Sequence, residues 1–425
     1  MNIYCAGIGG IGLSAYAALM RLQGHEVSGS DRVESDLLDE LRASGVQVTL
    51  LQDGSEIPQD CDLFVYSEAL PIHHPERMAA ERRGIRSLSY FGALGELSAP
   101  YDVIAVCGTH GKSSTTAMIA KTLIDAGKDP TVVVGTKLPD LGGRNYRNGK
   151  SKIFVLEACE YRKSFHALSP STIVLTNVDG DHFDYYSTVR AYREAFVEFV
   201  GRLPPSGIVV LHGEDADALD VAQQAGRKAV DADLLPLPEL SIAGVHMQQN
   251  ARLALAMAEC CGVPREDALR SLHGYRGAWR RMEYVGSYHD IPVIDDYGHH
   301  PREIAAVLGA LRHQYGDRRI VCVFQPHTHD RTLKLYSDFT AAFSDADLVI
   351  IPGVYEARRD RDAATVDLSE FTRGIAQASA VDCLDGISLD ATEEMLRTQI
   401  LKTGDVLLVM GAGDVTGLAR SMGRG

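Results

Sequence analysis

The chain has 425 residues, 45% hydrophobic and 23% charged, with 42 Lys+Arg against 57 Asp+Glu and a formal net charge of −15. This is the composition of a folded chain of about three domains, and net acidity without a basic block argues against binding a nucleic-acid backbone. No apolar run approaches the ~18 residues of a membrane span. Met1–Cys5 carries no secretory pattern, and scattered cysteines, several in apolar strand-like runs (Cys5, Cys107, Cys322), fit a reduced, cytoplasmic setting without membrane partners.

In chain order, strands are expected at Asn2–Ala6, Glu26–Ser30, Leu63–Tyr66, Val103–Cys107, Ile153–Leu156, Thr172–Thr176, Ile208–Leu211, Ile320–Phe324, Leu348–Ile351 and Val406–Met410. Most lead through a Gly-rich or polar turn into a helical pattern, which predicts an α/β fold with largely parallel sheets. Breaks at Ser98-Ala99-Pro100 and across Glu283–Asp290 divide the chain into 1–98, 99–284 and 285–425.

The first strand runs into Gly7-Ile8-Gly9-Gly10-Ile11-Gly12, a G-x-G-x-x-G loop that opens a helix. Its glycines allow a tight turn and let a phosphate approach backbone N–H groups at the helix start. Asp31 follows about 20 residues later, at the end of the second strand, where a carboxylate meets a ribose hydroxyl. The pattern implies a nucleotide diphosphate, without saying whether it belongs to NAD or to another nucleotide.

The second loop is sharper. Val103–Cys107 leads into Gly108-Thr109-His110-Gly111-Lys112-Ser113-Ser114 and then a helix. The standard P-loop has a glycine where this chain has Val106, so this is a compact G-x-x-G-K-S variant. Lys112 is placed to reach β/γ-phosphate oxygens of ATP, and the Ser113 hydroxyl to bind Mg²⁺. Glu157 and the run Thr176–His182 end the following strands, where ligands gather in open α/β sheets. Ser113, Glu157 and His182 are therefore candidate Mg²⁺ ligands, although a histidine is an unusual donor for that ion.

In the last third, Asp295-Asp296-Tyr297-Gly298-His299-His300-Pro301 and Phe324-Gln325-Pro326-His327-Thr328-His329-Asp330-Arg331 again follow strands. With no Cys partner and no His-Glu-x-x-His, zinc is a weaker reading than contacts to a ribose or to a substrate's amine and carboxylate. Arg331 suits a carboxylate bidentately.

Together with Asn250, Arg280-Arg281 and Gly411-Ala412-Gly413-Asp414, these motifs fall in the order found in the Mur ligases, and the chain resembles that family over nearly its whole length. The resemblance implies a Rossmann-like N-terminal domain for the UDP part of a substrate, a central P-loop ATPase-type domain and a Rossmann-like C-terminal domain for an incoming amino acid. It implies that Gly9, Gly10, Ile11, Gly12 and Asp31 bind the UDP substrate. Gly108 to Ser114, Asn250, Arg281 and Asp296 bind ATP, and Tyr297, His299, His327 and Arg331 line the amino-acid pocket. Lys112, Glu157 and His182 carry the chemistry, with ATP and Mg²⁺ as cofactors.

The branch implied joins L-alanine to UDP-N-acetylmuramate through an acyl phosphate, as a monomer or homodimer. Residues 183–201 contain no lysine, which agrees with that branch, since several Mur ligases carry a carbamylated lysine there. The chain departs from the usual Glu-Ala-Asp-Glu-Ser-Asp at Glu157-Ala158-Cys159-Glu160-Tyr161-Arg162, and has Thr328 where an arginine is common. Tyr161 resembles the recycling branch that attaches a tripeptide, which is the alternative reading. A nicotinamide dehydrogenase would have no use for Lys112 or Glu157, and a bare nucleotide switch none for the Gly7 loop.

Overall fold

The computed structural model describes residues 1–183, 185–356 and 365–424. It divides into two compact units. The first comprises Met1–Gly180, Val189–Pro238 and Asn250–Gly274; the second comprises Asp181–Thr188 and Glu239–Gln249 with the described residues from Tyr275 onward.

The first unit holds two sheets. One is built of β1 (Asn2–Ala6), β2 (Glu26–Ser30), β3 (Gln47–Thr49), β4 (Leu63–Tyr66) and β5 (Ser87–Ser89), all parallel, in the order β3-β2-β1-β4-β5. Along β1, Ile3 and Cys5 enter one buried cluster and Tyr4 and Ala6 another, so both faces are covered. The second sheet comprises β6 (Asp102–Cys107), β7 (Thr131–Leu138), β8 (Arg144–Arg147), β9 (Ile153–Glu157), β10 (Thr172–Leu175), β11 (Ile208–Leu211) and β12 (Lys228–Asp231). Its order is β12-β11-β10-β6-β9-β7-β8, parallel except for the β7–β8 hairpin. The hairpin is tied to the first sheet's glycine helix, because Asn145 Nδ2 donates to the Ile11 carbonyl and Lys137 pairs with Glu40 at 2.6 Å.

The second unit holds β13 (Glu283–Tyr288), β14 (Ile291–Asp296), β15 (Ile320–Phe324), β16 (Leu348–Ile351), β17 (Asp382–Asp385) and β18 (Val406–Met410), in the order β13-β14-β18-β15-β16-β17. Only β13–β14 is antiparallel. On β15, Ile320, Cys322 and Phe324 pack into one core and Val321 and Val323 into another, again the mark of a strand buried on both faces.

The α/β class with largely parallel sheets is as expected from sequence. The stretch Glu283–Asp290, read as a junction, instead carries an edge strand that begins at Glu283, just ahead of the 284/285 break. The β7–β8 hairpin was not anticipated. All eight cysteines are free. Among the described residues, no helix is long and apolar enough to cross a membrane.

Candidate active site

The Gly7 loop closes β1 onto β2, with Gly7 N and Ile8 N both donating to the Ser30 carbonyl at 2.8 and 2.9 Å. The helix Ile11–Leu22 follows with no side chain capping its first turn, which leaves its N–H groups for an anion. Asp31 lies beside this loop as expected, but its carboxylate is already engaged: Oδ2 accepts from Gly9 N at 2.8 Å and Oδ1 from Arg32 N at 2.7 Å. A Cβ on Gly12 would come within 2.7 Å of the Tyr90 ring, so glycine is required there by close packing.

The second loop is clamped by the end of β10. His110 N donates to Asn177 Oδ1 at 2.9 Å, while Thr176 Oγ1 and Asn177 Nδ2 both donate to the His110 carbonyl. The Thr109 hydroxyl donates to the Asp179 carbonyl at 2.6 Å and accepts from Asp179 N at 2.7 Å. Gly108 has φ +135° and Gly111 φ +79°, and an added Cβ would overlap Thr176 Oγ1 at the first and Asn250 Oδ1 at the second. Asn250 is thus brought against the loop. The helix Lys112–Asp125 starts without a side-chain cap, with Ser113 and Ser114 buried in its first turn.

Lys112 folds back over the loop it follows. Its Nζ donates to the Gly108 and Thr109 carbonyls at 2.6 and 3.0 Å, and pairs with Glu160 at 3.1 Å to Oε1 and 3.0 Å to Oε2. Burial alone would push the ammonium down, but the carboxylates of Glu160 and Glu157 around it outweigh that and hold it above its ordinary range. Glu160 is buried and accepts further from the Tyr192 hydroxyl at 3.4 Å. The register Val106↔Glu157 sets Glu157 beside the entry to the loop, where Oε2 accepts from Gly135 N at 2.9 Å. Cys159, where the family pattern has an aspartate, has its thiol pushed up to about 12 by burial and by the Glu160 charge.

The remaining expected residues lie in the second unit. The His182 backbone is at φ +52°, and its N–H donates to Asp181 Oδ1 at 2.6 Å. Arg331, expected to meet a substrate carboxylate, here holds Asp181: Nε and Nη2 donate to Oδ1 at 3.1 and 3.0 Å, and Nη2 to Oδ2 at 3.3 Å. Burial would raise the Asp181 carboxyl, but the Arg331 guanidinium, helped by the His182 N–H, overrides it and holds the group well below its ordinary range.

Arg331 Nη1 lies 3.3 Å from His327 Nδ1, and the His327 ring stacks on Tyr355 with centroids 5.6 Å apart. The His299 ring is 5.7 Å from His327 and 5.4 Å from Tyr297, and Arg281 stands over the Tyr297 ring at 5.1 Å. Burial, reinforced by the Arg331 charge, lowers His299 to about 3, so its imidazole is neutral. Thr328 begins the helix His329–Lys334 at φ +68°, a strained setting for a β-branched residue.

Asp296 is the exception among these residues. Its oxygens accept from Met282 N and Gly298 N at 2.8 and 2.7 Å, and burial raises it to about 6. Arg280 is buried against Asp295 at 3.7 Å, and both it and its neighbour Arg281 stand over the Tyr297 ring, at 5.0 and 5.1 Å. Sequence reasoning missed Glu160 as the counter-ion of Lys112 and Asp181 as the partner of Arg331. Only Glu160's place in the strand-end motif hinted at the first pair.

Glycine loops at the carboxyl ends of parallel strands, one with a partly buried lysine turned onto it, are the build of a phosphate-binding α/β protein. The profile of the Mur ligase family, catalytic domain, matches residues 2–102; the Mur ligase middle domain matches 106–235; the Mur ligase, glutamate ligase domain, matches 280–413. A UDP-N-acetylmuramate–L-alanine ligase of Clostridium novyi is 34% identical over 97% of this chain and 95% of its own length. The crystal structure of the UDP-N-acetylmuramate-alanine ligase of Thermotoga maritima superposes with a TM-score of 0.81 at 26% identity, over 99% of this chain and 98% of that one. A murein peptide ligase of Psychrobacter arcticus shares the fold, with a TM-score of 0.75 at 24% identity over 99% and 98% of the two chains. The chain belongs to the Mur ligase family.

Proposed function

We propose that this protein joins L-alanine to UDP-N-acetylmuramate with cleavage of ATP, an amide-forming step in making peptidoglycan precursors. One observation carries the reading: its end-to-end likeness to ligases named for that reaction, in a chain that keeps Lys112 and Glu157 at the phosphate cradle. Residues 1–98 would dock the UDP substrate, 99–284 would bind ATP, and 285–425 would receive the amino acid.

In this reading the uncapped helix after the Gly7 loop takes the diphosphate of the UDP substrate, at Gly9, Gly10, Ile11 and Gly12, with Asp31 holding the loop in shape. The Gly108–Ser114 loop takes the ATP phosphates, and Asn250 sits where it can meet the nucleotide. The muramyl carboxylate attacks the γ-phosphate, giving an acyl phosphate and ADP. The alanine amine then attacks the carbonyl, and phosphate leaves. Lys112 neutralises charge as the phosphoryl group moves, which requires it to exchange part of its hold on Glu160 for phosphate oxygens. Tyr297, His299, His327 and Arg331 orient the amino acid, so the nucleophile is placed rather than activated.

The Ser113 hydroxyl and the Glu157 carboxylate are hard oxygen donors past the carboxyl ends of the neighbouring strands β6 and β9, a donor set that suits Mg²⁺. When bound, Mg²⁺ supplies further charge neutralisation on the phosphates. Free thiols throughout and a nucleotide substrate favour work in the cytoplasm.

A phosphate-release assay with ATP, UDP-N-acetylmuramate and a panel of amino acids plus the tripeptide tests the reading. Release should require the UDP substrate and be fastest with L-alanine. Faster turnover with the tripeptide would move the protein to the recycling branch, and release independent of both acceptors would end the ligase assignment.

A further inference from the structure

Asp181 and Arg331 are 150 positions apart, yet within the second unit the buried Asp181 carboxylate is paired with the partly buried Arg331 guanidinium. The short segment that delivers Asp181 is anchored again two residues on, where Lys334 Nζ donates to the Phe183 carbonyl at 3.0 Å. Asp181 is itself held by the His182 N–H. The carboxylate is therefore fixed from its own backbone and from the helix that carries Arg331.

A guanidinium has five N–H donors in a rigid planar fork. Asp181 takes the Nε and Nη2 edge, and one N–H of Nη1 faces His327 Nδ1. The Nη1–Nη2 edge adjoins the one that Asp181 holds, and its two N–H groups are parallel by covalent geometry, which suits a bidentate grip on a carboxylate. Without Asp181, the guanidinium would be free to turn about its long stem and offer any edge.

The geometry points to Asp181 as a positioning residue. It presents the Nη1–Nη2 edge of Arg331 to the α-carboxylate of the incoming amino acid, and it does so from the same short segment as His182. This rests on the proposed placement of Arg331 in the amino-acid pocket. Asp181 remains paired throughout turnover, so its effect falls on binding of the acceptor and not on phosphoryl transfer.

The test is steady-state kinetics of Asp181→Asn and Asp181→Glu in the full-length protein, with each of the three substrates varied in turn. Asp181→Asn should raise KM for L-alanine about tenfold or more, the scale of losing a charge-assisted hydrogen bond, with KM for ATP and for the UDP substrate unchanged. Asp181→Glu should recover part of the loss. An unchanged alanine KM, or an equal rise for all three substrates, would overturn the proposal.

Should Asp181→Asn fail to fold, the comparison passes to Arg331→Lys alone and with Asp181→Glu. A point cation has no edge to present, so the carboxylate's reach should no longer matter for alanine; a further alanine-specific loss in the double variant would also overturn the proposal. If the wild-type protein prefers another acceptor, the functional reading fails separately, and the same KM comparison is made with that acceptor.

Discussion

Around the second glycine loop neutral side chains grip the backbone, while around Arg331 ionisable side chains grip one another. The cradle is fixed by Thr109, Thr176 and Asn177 on loop amides and carbonyls and by left-handed glycines, with one lysine whose charge is met by Glu160. The corner in the other unit is a set of ionisable groups, Asp181, Arg331, His299 and His327, in which burial and neighbouring charge shift Asp181 and His299. A cradle of neutral groups tolerates pH but not a change of shape. A side-chain corner tolerates small changes of shape but not a change of charge.

The largest expected effect is on the cradle. Lys112→Ala should lower ATP-dependent phosphate release by about 10³-fold, the scale of losing a preorganised charge at a reacting group. Calorimetry should show UDP-N-acetylmuramate binding nearly unchanged, and equal loss of both would break the separation of the two loops.

Next comes Arg331→Ala, which should raise the alanine KM about 10- to 100-fold and leave the ATP KM alone. It should also lower the melting temperature, because a buried carboxylate loses its cation. A change confined to the ATP KM would remove Arg331 from the amino-acid pocket.

Gly108→Ala tests the shape argument. The new methyl group meets Thr176 Oγ1 at a left-handed backbone position, so urea unfolding should show a loss of about 1–3 kcal/mol. A neutral result would mean that the loop yields.

The smaller test is of pH. His299 titrates near 3 in the folded chain against 6.5 ordinarily, so the unfolded chain binds the extra proton first as pH falls, and stability is lost from about pH 6.5 downward toward pH 3. Asp296, raised from 3.8 to about 6, acts with the opposite sign: its cost to the fold appears as pH rises through that interval. Comparing His299→Gln with wild type removes the Asp296 contribution. The variant should gain about 2 kcal/mol relative to wild type between pH 7 and pH 5 by urea unfolding. Parallel curves would show that His299 takes up its proton without cost.

What the sequence disclosed follows the same division. Most central strands are continuous apolar runs, such as Ile320–Phe324 and Val406–Met410, and their type and ends were readable, though the inner strand β7 was not anticipated. The edge strands were not: β3 and β5 span three residues each, β8 is the polar run Arg-Asn-Tyr-Arg, and β13 owes its pairing to a neighbour. The glycine loops were legible because a left-handed backbone leaves a mark in residue type. The ion pairs were not, since Lys112–Glu160 spans 48 positions and Asp181–Arg331 spans 150, and nothing local in a chain announces a partner at that distance.

The thiol of Cys159 lies one residue from the carboxylate that neutralises Lys112, and its proton stays on at any physiological pH. Thiolate-seeking electrophiles are therefore expected to label it slowly. A compound aimed at this cradle has to compete on shape and charge, reversibly, for the space assigned to the triphosphate in the proposed function.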